Sequence, residues 1–220
     1  MNIQGVLFDL DGTLLDTALD LGAAANRALA RYGYPPLSDA HAYQYSSHGS
    51  RGLLQAALGQ HFERTDHTPL KDALLNAYMA DLCVHTKPYD GIAELVAGLD
   101  TRKLPWGIVT NKPGWLTDPL LSQLPLFAGS QVNVSGDTYE VAKPHPKPLL
   151  AAAERLSVDP GTILYVGDAE RDMEAARAAG MIGCVALWGY LRREDTPMEW
   201  PAHWFCQTPR ELVTMLGFNE

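Results

Sequence analysis

From Tyr89 to its end the chain alternates helical and strand-like segments, and this rhythm constrains the fold more than any other feature. Helical patterns fall at 92–99, 115–124, 148–156 and 170–179, between apolar runs at 106–110, 131–135, 162–166 and 183–187; a short strand near 203–206 and a helix over 209–216 close the chain. Strands separated by helices cannot pair as tight hairpins, and the crossovers place them parallel in a sheet covered on both faces. Val6-Leu7-Phe8 supplies a further buried strand at the start. Between 16 and 86 the pattern is different. Helical stretches at 17–34, 38–45, 50–60 and 69–85 follow one another with no convincing strand between them. The expected architecture is α/β, a parallel sheet core over 1–15 and 87–220 with a helical cap, 16–86, inserted after strand 1.

In an open parallel sheet, ligands bind beyond the carboxyl ends of the strands, so the residues at those ends carry the functional reading. Strand 1 runs into Asp9-Leu10-Asp11-Gly12-Thr13. The run 106–109 ends in Thr110-Asn111-Lys112, the run 163–166 in Gly167-Asp168 with Asp172 four residues on, and Lys143 lies in the loop after 132–135. An aspartate at a strand end can attack phosphorus, and a second one nearby can pass a proton to the leaving oxygen and later take one from water. Like charges this close need a cation between them, and hard oxygen donors suit Mg²⁺.

The roles divide accordingly. Asp9 is the expected nucleophile and Asp11 the acid/base. Mg²⁺ is expected on Asp9, the main-chain carbonyl of Asp11 and Asp168, with Asp172 behind them orienting a bound water or Lys143. The Thr110 hydroxyl, the Asn111 N–H and the Lys143 ammonium face the phosphoryl oxygens, while Gly12 bends the chain and Thr13 adds a hydroxyl and an N–H.

Bulk properties exclude several classes. With 17 basic and 26 acidic residues the formal charge is −9, and no basic cluster offers a surface for nucleic acid or an anionic membrane. Cys83, Cys184 and Cys206 are odd in number and widely spaced, the pattern of reduced thiols and not of a disulfide frame or a zinc site. No apolar stretch approaches the roughly 20 residues that span a bilayer, and no charged leader precedes strand 1. A cytoplasmic location is expected; the oligomeric state is left open.

The four clusters resemble the signatures of the haloacid dehalogenase superfamily: Asp9-Leu10-Asp11-Gly12-Thr13, Thr110-Asn111, Lys143-Pro144 and Gly167-Asp168-Ala169-Glu170-Arg171-Asp172. The resemblance covers essentially the whole chain and implies a Rossmann-like core with a helical cap. It is strongest to the phosphoglycolate phosphatase group, and so implies a Mg²⁺-dependent phosphomonoester hydrolase that works on a small phosphorylated metabolite through an aspartyl phosphate. Asp11 argues against dehalogenation, since the dehalogenases lack the second aspartate. The wording around Cys83–Lys87, Trp106–Pro113 and Trp188–Tyr190 is similar to a branch acting on N-acetylmuramic acid 6-phosphate. That or another sugar phosphate is the alternative substrate, and a phosphomutase would share all four signatures.

Within the cap, Ser46-Ser47-His48-Gly49-Ser50-Arg51-Gly52 places two glycines and an arginine at a helix start. There Arg51 is the expected grip on an anionic substrate, such as one bearing a carboxylate. His61 and His67 read as loop residues without a third metal ligand, and His145 as an exposed turn residue. Trp115 is the one tryptophan placed to border the site.

Overall fold

The computed structural model describes residues 2–218. Six strands, β1 (Gly5–Phe8), β4 (Trp106–Val109), β5 (Val132–Val134), β6 (Ile163–Gly167), β7 (Ile182–Ala186) and β8 (Trp204–Cys206), form one sheet in the order β5-β4-β1-β6-β7-β8. Every pairing in it is parallel. Helices α5 (Ile92–Thr101), α6 (Gly114–Ser122), α7 (Lys147–Leu156), α8 (Glu170–Ala178) and α9 (Pro209–Met215) connect or follow these strands. The Rossmann-like α/β core expected from the alternation is present.

The alternation of side chains along a strand explains the two layers. Val6 and Phe8 point to the face covered by α5 and α9, where Ile92, Leu95, Leu99 and Leu212 meet them. Leu7, between them, points to the other face, with Leu149 and Ala152 of α7 and Met173 and Ala176 of α8. All four residues of β1 are buried, as both-face cover requires. From β1 the chain builds leftward through β4 to β5 and then crosses to β6 on the other side. The crevice where ligands bind in such sheets therefore opens between the ends of β1 and β6.

Four helices, α1 (Ala18–Arg31), α2 (Asp39–Tyr45), α3 (Gly49–Leu58) and α4 (Thr68–Ala80), fill the segment between β1 and the rest of the sheet. On α1 the buried residues Ala18, Leu21, Ala25 and Leu29 recur at helical spacing and turn toward its neighbours. Gly22 lets α1 approach α2 closely: a Cβ there would lie 2.7 Å from that of Ala42. The expected helix 69–85 stops at Ala80. Residues beyond it turn because the buried Asp20 on α1 competes for their N–H groups. Its carboxylate accepts from Val84 N (3.1 Å), His85 N (3.0 Å), Thr86 N (2.9 Å) and the Thr86 hydroxyl (2.7 Å).

The helical insertion joins the core through a ribbon that the sequence pattern is too short to reveal. Strands β2 (Leu15–Asp16) and β3 (Lys87–Pro88) pair antiparallel, with Leu15 opposite Pro88. Among the described residues no helix is long and apolar enough to cross a membrane.

Asp20 is the anchor of this junction. Replacing it by alanine strands three N–H groups, and Asp20→Ala is expected to lower the unfolding free energy by about 2–4 kcal/mol, with Asp20→Asn losing less. Urea titration followed by circular dichroism measures both.

Candidate active site

The site is built at the ends of β1, β4 and β6. Asp9 follows β1 directly, and its carboxylate lies 2.9 Å from the ammonium of Lys143. The same ammonium is 2.8 Å from Asp172 and donates to Val109 O and the Tyr165 hydroxyl, both at 2.8 Å. Lys143 and Asp172 side chains are wholly buried and Asp9 nearly so. Asp172 also accepts from Ala169 N (3.1 Å), closing the first turn of α8 on itself.

Asp9, Asp168 and Asp172 bring carboxylate oxygens within 4.8 Å of one another. Burial, then the charges of Asp9 and Asp172, push the Asp168 carboxyl up to about 8. Burial also raises Asp9, against the pull of Lys143. For Asp172 burial acts in the same upward direction, but Lys143 and Arg171 outweigh it and hold the group below its ordinary value. Three buried carboxylates offering hard oxygen atoms, two of them raised by their surroundings, fit a small divalent cation.

The approach of the first aspartate loop to Asp168 depends on a residue without a side chain. Gly12 has φ +83°, and a Cβ there would sit 2.1 Å from Asp168 Oδ2. That oxygen accepts from Tyr190 N at 2.8 Å, while Oδ1 accepts from the Ser47 hydroxyl at 3.1 Å. Ser47 belongs to the helical insertion. Arg171 donates to its carbonyl (2.6 Å) and its hydroxyl (3.0 Å), so the insertion is fastened to the core beside the acidic cluster.

Asp11 points elsewhere. Its carboxylate pairs with Lys112 Nζ at 2.9 and 3.1 Å and accepts from the Thr17 hydroxyl at 2.7 Å. Its side chain is outside the three-carboxylate cluster; the sequence reading gives its main-chain carbonyl, not its carboxylate, to the metal. Thr110 is buried, with its hydroxyl accepting from Lys112 N at 3.1 Å. Asn111 ties two loops together: its amide donates to Lys143 O (2.9 Å) and accepts from Lys143 N (3.0 Å). Thr13 is buried with its hydroxyl unpaired.

A cavity of about 790 Å³ opens beside this cluster, with Asp168, Asp172 and Lys143 outside its lining. Asp9, Asp11, Thr110 and Asn111 form its floor, and Arg51, Lys71, His48 and Trp115 stand on its walls. Arg51 lies over the Phe62 ring, 5.3 Å from its centroid. His67, read as a loop residue, stacks on the same ring at 4.3 Å and also borders the cavity, whereas His61 and His145 are exposed and do not. Burial, then Arg171 and Arg192, lower His48 to about 4, which leaves it a neutral donor and acceptor at the wall.

Sequence reasoning missed Lys112, Arg171, Tyr165 and Ser47 as members of the site. Lys112 and Arg171 stand inside the quoted strand-end clusters, so their position was a usable signal. Tyr165 is a strand residue that reads as core, and only the fold brings Ser47 against Asp168.

A parallel sheet with helices inserted behind its first strand and an acidic cluster at its switch point defines a Rossmann-like α/β protein with a candidate cation site. The sequence model of the haloacid dehalogenase-like hydrolases matches residues 6–186. The chain belongs to this family, and within it is a phosphatase. An N-acetylmuramic acid 6-phosphate phosphatase of Pseudomonas aeruginosa is 38% identical over 216 residues, 98% of this chain and 96% of that protein. A phosphoglycolate phosphatase of Xanthomonas campestris pv. campestris is 41% identical over 209 residues, 95% and 94% of the two chains. The crystal structure of a predicted phosphoglycolate phosphatase from Haemophilus somnus shares the fold, with a TM-score of 0.87 at 24% identity over 98% of this chain and 99% of that one.

Lys143 is the group on which the buried charges depend. Lys143→Ala leaves Asp9 and Asp172 facing each other unpaired, and is expected to cost about 3–5 kcal/mol of stability. Chemical denaturation without divalent cations, compared with wild type, measures the loss.

Proposed function

We propose that the chain is a Mg²⁺-dependent phosphomonoesterase for small phosphate esters that carry a carboxylate, with 16–86 acting as a cap that closes over the substrate. One observation carries this reading: Lys143, the one basic side chain paired with Asp9 among the described residues, is itself held by Asp172, Tyr165 and Val109, so the nucleophile is fixed at the floor of a cavity with cations on its wall. Asp9, Asp168 and the Asp11 carbonyl would hold Mg²⁺, which when bound offsets the negative charge of the phosphate and of the carboxylates.

The remaining steps belong to the chain's own residues. Asp9 attacks phosphorus and forms an acyl phosphate as the ester P–O bond breaks, and Asp11 gives the leaving oxygen its proton. Water then attacks the acyl phosphate, its proton passing to Asp11, and Asp9 is regenerated with release of inorganic phosphate. The Thr110 hydroxyl, the Asn111 N–H and Lys143 neutralise charge on the transferred group. Arg51, at the wall, takes the carboxylate of the organic part.

A second observation bears on the size of the substrate. About 790 Å³ is far more than a two-carbon acid fills, and lies within the range of roughly 300–1,000 Å³ for pockets that enclose larger ligands. The volume favours a sugar phosphate bearing an acidic side arm, the chemistry named for the Pseudomonas relative. Phosphate release from N-acetylmuramic acid 6-phosphate, phosphoglycolate, other sugar phosphates and nucleotides tests this directly. Isomerised sugar phosphate in place of free phosphate would mark a mutase.

Chelation is expected to abolish turnover, with Mg²⁺ restoring it. Because Asp168 keeps its proton below about 8, a cation must displace that proton. Apparent Mg²⁺ affinity should therefore rise with pH, by up to tenfold per unit below that value, and level off above it. Titration of activity against Mg²⁺ at several pH values reads this; an affinity independent of pH would contradict it.

Arg51→Ala should reduce kcat/KM for the preferred carboxylate-bearing ester by about 2–3 kcal/mol of transition-state binding, and scarcely change that for an uncharged aryl phosphate. Equal losses on both would place Arg51 in folding or in general phosphate binding.

A further inference from the structure

We infer that Trp115 is a platform on which the sugar ring of the substrate stacks, so that the core selects phosphate esters of pyranose sugars over esters without a ring. The inference deepens the reading of the substrate as a sugar phosphate with an acidic arm, and rests on it. Of the five tryptophans, Trp115 alone borders the cavity. It is 44% exposed, whereas Trp106 and Trp200 are buried and Trp188 and Trp204 half-buried.

Packing does not account for this exposure. Helix α6 buries Leu116, Thr117 and Leu120, and Trp115 stands outside that stripe. The indole N–H of Trp106 is spent on Asp100 Oδ1 (2.8 Å) and that of Trp188 on Thr13 O (3.0 Å). That of Trp115 meets no acceptor among the described residues. Its backbone, by contrast, is well held. Gly114 N donates to Asp137 Oδ1 at 2.7 Å and the Thr117 hydroxyl to Pro113 O at 3.0 Å, so the first turn of α6 is fixed in place. Thr110, Asn111 and Trp115 line the same cavity, and an ester whose phosphate meets the first two carries its organic part along the wall where the indole stands.

The chemistry of a pyranose matches this surface. Its C–H bonds gather on a ring face, which is apolar, while its hydroxyls occupy the edge and need polar partners. An indole covers such a face with a large flat area at little cost in rotamer freedom, and its N–H serves a hydroxyl. Asp137 is exposed on the same cavity and has one oxygen engaged by Gly114 N, which leaves the other for a hydroxyl at the ring's edge. Its charge repels the acidic arm, which finds Arg51 and Lys71 on α3 and α4 instead. A two-carbon acid has no face to offer the indole.

The test compares wild type, Trp115→Ala and Trp115→Phe on N-acetylmuramic acid 6-phosphate, glucose 6-phosphate, phosphoglycolate and adenosine 5′-monophosphate, with released phosphate as the readout. Trp115→Ala is expected to raise KM for the sugar phosphates roughly tenfold with kcat nearly kept, because stacking serves bound substrate and transition state alike. Phosphoglycolate should stay within about threefold of wild type, and Trp115→Phe, which keeps a flat face, should recover most of the loss. A second readout needs no turnover. In an Asp9→Asn background with Mg²⁺, N-acetylmuramic acid 6-phosphate should shield tryptophan fluorescence from acrylamide quenching, and the shielding should vanish when Trp115→Phe is added.

Each failure has its own signature. Equal loss on sugar phosphates and phosphoglycolate, no loss on either, or shielding that survives Trp115→Phe would overturn the platform while leaving the phosphatase reading intact. A loss confined to adenosine 5′-monophosphate would give the indole to a nucleobase and overturn the sugar. If wild type releases phosphate from phosphoglycolate and from no sugar phosphate, the sugar reading falls and the inference with it.

Discussion

The ammonium of Lys143, buried between Asp9 and Asp172, is the interaction on which the rest of the site depends. Three carboxylates crowd one end of the sheet, and taking such charges from water is costly unless each is paired and hydrogen-bonded. Lys143 answers that cost with four partners at once, two carboxylates, a carbonyl and a phenol. The lysine comes from the loop after β5, Asp9 from β1 and Asp172 from α8, so the cluster also locks three parts of the core to one another. Asn111 extends the lock by pairing with the main chain of Lys143 in both directions. The geometry of the candidate site and the stability of the core are the same set of contacts here.

That economy leaves the aspartates unequal. Asp172 is fully engaged and held as a carboxylate, whereas Asp168 is pushed upward and accepts, among the described residues, from the N–H of Tyr190 and the hydroxyl of Ser47. Asp11 is drawn out of the cluster altogether by Lys112 and Thr17. Environment, not residue type, sets the four aspartates apart: Asp9 and Asp172 share one lysine, Asp168 is pushed upward, and Asp11 pairs with a second lysine.

Much of this was legible from the chain. The alternation after Tyr89 fixes the parallel sheet because only a helix-length crossover can return the chain in the same direction. The strand-end clusters disclose Asp9, Asp168 and Asp172, which meet because parallel strands deliver their ends to one edge. What stayed hidden follows from physics that sequence patterns do not carry. Tyr165 sits in a run that reads as plain core, and its hydroxyl acquires meaning only when Lys143 arrives from another loop. Ser47 reaches Asp168 across 121 positions of chain, and no periodicity encodes such a meeting. The stop of α4 at Ala80 is likewise set by Asp20, a distant residue that outbids the helix for N–H groups.

The two-residue ribbon of β2 and β3 has a consequence for how such molecules diversify. Because Leu15 lies opposite Pro88, the whole helical insertion leaves and rejoins the core at one point, and to the sheet it is equivalent to a hairpin loop. Closing a loop costs only slowly more as the loop lengthens, so the length of what is spliced in there can vary at little cost while Ser47 keeps its contacts with Asp168 and Arg171. A lineage can therefore lengthen or reshape the insertion away from Ser47 while inheriting the acidic cluster unchanged.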